Sequence, residues 1–278
     1  MSKRVGQWSI GWLVVAVFSA CSSSPPKNET EYLAGATLWF QTSGEATALM
    51  HQAFRLGRVL LDADLKVKRK KSDLPPAIIV DVDETVLDNS PFEARVVATG
   101  EGYPKGWDEW VQLAQAKPLP GSVEFLTYAK TKGIRVFYLT NRKDSQKAAT
   151  AKNLKEAGFP DVSDETVVCR STDSNKEPRR QQIRATHRVV LLVGDNLNDF
   201  DKAFDQKTSD ARVAAVDNSK DKFGTEYLVI PNPMYGDWEG ALYGFDFNQA
   251  AEKKFQLRRA ALKPFLDRTA GRPVNETE

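Results

Sequence analysis

Asp81 and Asp83 close the run Ile78-Ile79-Val80-Asp81-Val82-Asp83, and Thr85 adds a hydroxyl two residues later. An uninterrupted apolar run of this kind suits a strand buried on both faces of a parallel sheet. The carboxyl edge of such a sheet is where open α/β folds hold their ligands. Residues two apart on a strand point to the same side, so both carboxylates can look into one crevice. Like charges that close repel unless a cation or a bound proton offsets them. The pattern points to a metal site, an acid/base pair, or both. The same Asp-x-Asp serves in turns and helix caps elsewhere, so its meaning rests on the rest of the chain.

Three further polar clusters follow. A second apolar run ends in Thr140, Asn141 and Arg142. A hydroxyl and an amide at a strand end can donate to an anion, although they can equally cap a helix. Lys176 opens a helical stretch; a lone lysine is usually surface charge. A third apolar run ends in Gly194-Asp195, with Asp199 four residues on. Carboxylates at that spacing share one face of a helical turn. A second acidic strand end suggests that the two converge on one cation.

Strands are expected at 77–82, 135–140, 166–169, 189–193, 212–216 and 227–230, with helices at 123–132, 145–157 and 177–186. Strand–helix alternation predicts a doubly wound parallel sheet, a Rossmann-like α/β core. Positions 31–69, within a segment 31–71, carry helical periodicity in two stripes, one of Leu33, Ala36 and Phe40, the other of Ala53, Leu56, Val59 and Leu60. They predict a helical subdomain packed on a core spanning 72–250. The segment 88–118 is long for a plain loop, holds Trp107 and Trp110, and is expected to cap the site. A C-terminal helix and tail fill 251–278.

The chain has 278 residues, 41% of them hydrophobic and 27% charged, with a formal net charge of +2. Lys3 and Arg4 are the only charged residues of the first 20, and without them 37 basic residues face 37 acidic ones. That balance gives no footprint for a nucleic-acid polymer. Positions 1–20 read as a secretory signal, with a basic start, a short apolar stretch and small residues before Cys21. The stretch is too short to span a bilayer. It resembles a bacterial lipoprotein signal, which implies lipid on Cys21, and 21–30 reads as a tether. Ser22 after the cysteine implies outer-membrane sorting. Cys169 then has no partner, so no disulfide framework is expected, and a buried apolar role suits it.

In order and spacing, DVDET, the Thr140 of LTN, Lys176 and GDNLND resemble the four motifs of the haloacid dehalogenase superfamily. More narrowly, IIVDVDETVLDNSPF and VVLLVGDNLNDF resemble the paired signatures of bacterial class C acid phosphatases, the lipoprotein e family. Phe92 stands where the first signature usually has Tyr. FYLTNRKDS, SNKEPRR and NPMYGDWEG extend the similarity from about Glu31 to Glu252. The resemblance implies a metal-dependent acid phosphatase of phosphate monoesters. Asp81 would be the nucleophile and Asp83 the acid and base. Thr140, Asn141 and Lys176 would bind phosphate. Mg²⁺ would be held by Asp81, Asp83 (through its backbone carbonyl), Asp195 and, through water or at second remove, Asp199. Trp107 and Tyr235 match positions that sandwich a ring in that family, whereas Trp110 and Trp238 read as packing. The implied substrates are nucleoside 5′-monophosphates, nicotinamide mononucleotide and aryl phosphates, the implied assembly a homodimer. His51 and His187 lie away from every motif, which leaves a histidine-phosphatase mechanism without support. Two other readings stand beside this one: a phosphatase for another ester, such as a sugar phosphate, and a surface adhesion lipoprotein with a vestigial site. The intact Asp81, Asp83, Lys176 and Asp195 argue against the last.

Overall fold

The structure, a computed structural model, describes residues 29–265 apart from 69, 71, 72, 206 and 207. The proposed signal, Cys21 and the end of the C-terminal tail lie outside the described residues. Seven strands occur among them: β1 (Pro76–Val80), β2 (Leu87–Asp88), β3 (Lys117–Pro118), β4 (Arg135–Lys143), β5 (Val167–Arg170), β6 (Arg188–Gly194) and β7 (Tyr227–Val229). The helices are α1 (Ala34–Thr42), α2 (Gly44–Leu65), α3 (Ser90–Thr99), α4 (Trp107–Leu113), α5 (Ser122–Thr131), α6 (Lys147–Glu156), α7 (Glu177–Thr186), α8 (Ser209–Asn218), α9 (Asp237–Gly240) and α10 (Ala251–Ala261). No described helix is long and apolar enough to cross a membrane.

Five strands form an all-parallel sheet in the order β5-β4-β1-β6-β7. The pleat explains why β1 must be apolar throughout. Ile78 and Val80 join a cluster with α2 and α5 on one face, through Met50, Phe54 and Phe125. Ala77 and Ile79 join Ile183 of α7 and Phe204 on the other. Helices on both faces make the sheet doubly wound, as the alternation predicts.

Two expectations are corrected. Positions 212–216 lie inside α8, not in a strand. The Thr208 hydroxyl accepts from the Ala211 N–H and caps that helix, and only Ala215 and Val216 of the apolar run reach the core while Val213 is exposed. In α2 the buried stripe is Ala46, Met50, Phe54, Gly57 and Leu61, so Leu56 and Val59 face solvent. Gly57 decides that register. A Cβ there would stand 2.7 Å from the Phe125 ring, so only glycine lets α2 lie this close to α5.

The 88–118 segment holds α3 and α4 and is closed at its base by antiparallel pairing of β2 with β3. Leu33, Phe92 and Val96 form its own small core against Trp107 and Trp110.

Candidate active site

The carboxyl ends of the three central strands, β4, β1 and β6, meet at one edge of the sheet. Asp81 follows β1 directly, and its backbone N–H donates to Val193 O of β6 at 2.9 Å. The chain then turns sharply. Glu84 adopts φ 56°, a left-handed conformation that costs a non-glycine residue energy. Its carboxylate, fully buried, is held by the Asn89 N–H at 2.7 Å and by the Tyr235 hydroxyl. The turn is thereby pinned from two sides.

Lys176 stands just before α7 and is buried. Its ammonium donates to Asp81 Oδ1 and, at 2.6 Å, to Asp199 Oδ1. Asp195 follows β6, accepting from the Thr85 hydroxyl at 3.1 Å and the Asn232 amide at 2.8 Å. Asp199 comes one short turn later, and its second oxygen accepts the Asn196 N–H at 3.0 Å. Gly194 makes that turn possible, because a Cβ there would lie 2.4 Å from Asp199 Cβ. Asp81, Asp195 and Asp199 each offer a carboxylate oxygen, all within 4.8 Å of one another.

An all-oxygen set of three carboxylates suits a hard divalent cation. The electrostatics agree. Burial pushes Asp81 up to about 7, against the pull of Lys176 and helped by Asp199 and Asp83. Burial, then Asp199 and Asp81, push Asp195 well above the usual carboxylate range. Lys176 is raised: its carboxylate partners outweigh the cost of burying its charge. One ammonium bonded to two of these three acids leaves negative charge that a cation would offset.

The Asp83 carboxylate lies outside that trio. Its Oδ1 accepts from Arg142 Nε at 2.8 Å and from the Asn89 amide at 2.9 Å, and its Oδ2 from the Thr140 hydroxyl at 3.3 Å. Thr140 is fully buried. Asn141 is exposed, and its Oδ1 accepts from Arg179 at 2.7 Å, which turns its NH₂ away from that contact.

Arg142 and Asn89 received no role from the sequence, yet they tie Asp83 to Trp107 and Trp110 of α4. The Arg142 guanidinium, 2% exposed, also reaches Asn89 Oδ1 at 3.1 Å and lies 5.6 Å from the Trp107 ring. Trp110 donates to the same Asn89 oxygen at 2.8 Å, so it is both packing and polar anchor. Trp238, expected in packing, is 46% exposed. Cys169 is buried and free, as expected.

These groups open into one cavity of about 790 Å³, lined by Asp81, Asp83, Asn141, Lys176, Asp195 and Asp199 and also by Trp107 and Tyr235. Such a volume takes a ligand far larger than phosphate.

The comparisons with known proteins agree with this geometry. The family model for the HAD superfamily, subfamily IIIB (acid phosphatase), matches residues 15–238. The class C acid phosphatase from Bacillus anthracis superposes with a TM-score of 0.82 at 45% identity, covering 86% of this chain and 99% of that one. The same enzyme has been solved with tungstate bound. Among sequence relatives, a stem 31 kDa glycoprotein of Glycine max is 29% identical over 166 residues, and acid phosphatase 1 of Solanum lycopersicum 29% over 131. These matches cover 56% and 44% of this chain, and the chain spans 58% and 51% of those two relatives. A family match over most of the chain, together with a shared fold at 45% identity, decides the matter: the chain belongs to subfamily IIIB of the HAD superfamily, the acid phosphatases.

Proposed function

We propose that this protein is a metal-dependent phosphomonoesterase working through an aspartyl-phosphate intermediate. The observation that carries the reading is the buried Asp81 carboxylate, bonded to Lys176 and grouped with Asp195 and Asp199 in the lining of a large cavity. Asp81 attacks phosphorus; the bond from phosphorus to the ester oxygen breaks, and Asp83 gives that oxygen a proton. Asp83 then takes a proton from the water that attacks the intermediate, and inorganic phosphate and free Asp81 result. Lys176 neutralises charge on Asp81 and on the transferring group. The Asn141 amide, fixed by Arg179, is free to donate to a phosphoryl oxygen. The Thr140 hydroxyl can serve a phosphoryl oxygen or Asp83, and in this structure it serves Asp83.

Mg²⁺ is the cation we assign here: Asp81, Asp195 and the Asp83 carbonyl would hold it, with Asp199 supporting, and it would offset the like charges of nucleophile and phosphate. Tungstate on the Bacillus anthracis relative supports a phosphate-shaped site, since it is a tetrahedral oxyanion. Trp107 and Tyr235 line the cavity where the organic part of an ester would stack, which supports nucleoside 5′-monophosphates, nicotinamide mononucleotide and aryl phosphates as substrates. The lipoprotein-like start supports attachment to the outer membrane of a bacterial envelope through Cys21.

The test is phosphate release from a nucleoside 5′-monophosphate and an aryl phosphate at mildly acidic pH, by the form lacking residues 1–21. Activity is expected with Mg²⁺, to vanish with chelator, and to fall on the order of 10⁴-fold or more in Asp81→Asn. Full activity in either the chelated protein or the variant would sink the mechanism.

A further inference from the structure

Away from the catalytic carboxylates, Glu93 stands out. It lies on α3, is only 9% exposed, lines the cavity, and finds no hydrogen-bond partner for its carboxyl among the described residues. Its carboxyl reaches the cavity without a protein partner, so it is available to a group that enters there. Glu239 of α9 is the neighbouring acid, and it is committed: it accepts the Tyr243 hydroxyl at 2.6 Å and stands 3.9 Å from the Arg258 guanidinium. Arg258 of α10 in turn donates to the Tyr243 hydroxyl at 2.6 Å and covers the Tyr32 ring at 3.7 Å. Tyr32, Glu239, Lys254 and Arg258 line the cavity together with Glu93, while Glu84 lies on the catalytic side.

We propose that Glu93, seated beside the fixed Glu239, is a specificity-determining residue that hydrogen-bonds hydroxyl or amino groups on the organic part of the phosphate ester. The inference rests on the phosphatase reading above and says what that site selects. Three observations favour a neutral, hydrogen-bonding group as the ligand. Burial and the facing Glu239 push the Glu93 carboxyl up to about 7, so in mild acid it is chiefly a neutral acid that both donates and accepts. Arg258 and Lys254 line the same cavity and offset the acidic pair, so no positive charge on the ligand is required there. Phe92 and Trp107, edge to face at 5.1 Å, bring an aromatic wall beside it, which suits a ring carrying such groups.

Wild type, Glu93→Gln and Glu93→Ala would be compared on phenyl phosphate, adenosine 5′-monophosphate, and analogues lacking the ribose hydroxyls or the base amino group. For Glu93→Ala, kcat/KM on the nucleotide is expected to fall about 10-fold or more, mostly through KM, with phenyl phosphate unchanged within about twofold. In wild type at least one analogue should be about 10-fold poorer than the parent, and that gap should close in Glu93→Ala. An equal fall on every ester, or no fall on any, would overturn the inference. The analogues report on wild type even where a variant folds poorly, and their equivalence there would overturn it too. If wild type cleaves phenyl phosphate but shows no such selectivity, the inference fails and the phosphatase reading stands. If it cleaves none of the esters, both fail.

Discussion

Asp83 is held by three donors, and the strongest is a buried guanidinium. Charged hydrogen bonds in fixed geometry orient an acid better than a mobile lysine would. If Asp83 is the acid of the proposed mechanism, Arg142 acts through it as a positioning residue, and its effect should scale with the need for an acid. For Arg142→Lys we expect kcat on an alkyl phosphate to fall on the order of 10- to 100-fold, and on 4-nitrophenyl phosphate less than about 3-fold, because a good leaving group departs unprotonated. Equal losses on both esters would mean a merely structural role. Asp81, Lys176, Asp195 and Asp199 were legible in the sequence because apolar runs deliver them to strand ends in a recurring order. Arg142 and Asn89 were not. A buried arginine and a surface one look alike in one dimension, and their meaning lies in partners as far off as Arg142 to Asp83, 59 residues apart.

Among the elements, α2 is the long support on which the sheet face bearing Ile78 and Val80 rests. Its N-terminus is capped by Ser43, whose hydroxyl accepts the Ala46 N–H at 3.0 Å. Its contact with α5 depends on Gly57. Gly57→Ala would gain helix propensity, about 1 kcal/mol, yet its methyl must displace the Phe125 ring, itself 1% exposed. Overpacking typically costs about 1–3 kcal/mol, so net destabilisation is expected in chemical denaturation; a stabilised variant would show that the helices can part freely. The same glycine explains what periodicity missed. Leu56 and Val59 look like core, but the face that must bury is the one where a backbone can come closest. The 177–186 helix and the β1 strand were legible because their patterns have one solution. The 212–216 run was not, since five residues with two alanines fit either a strand or a capped helix.

For the molecule as a whole, the acid-rich edge sets how stability responds to pH. Burial raises Asp81 and Glu93 to about 7 and pushes Asp195 and Glu84 well above the usual carboxylate range, all above an unfolded value of about 4. In that window the native state binds more protons than the unfolded one, so stability is fullest below about pH 4 as far as these groups go and is lost as pH rises through 7. The metal-free protein should therefore melt at progressively lower temperature from mildly acid to neutral pH. Added Mg²⁺ should restore most at the neutral end, where the carboxylates are ionised, by about 2.7 kcal/mol at 100 times its Kd. A melting temperature indifferent to Mg²⁺ at pH 7 would argue that the three aspartates hold no cation. The order of strands in the sheet bears on time as well as on chemistry. Asp81 meets Lys176 across 95 residues of chain and Thr85 meets Asp195 across 110, and closing such loops is slow. Helices can form early in a nascent chain from local contacts alone, whereas the Asp81–Lys176 pair joins residues with β4 and β5 between them in sequence, so the site is expected to assemble after the helices that surround it.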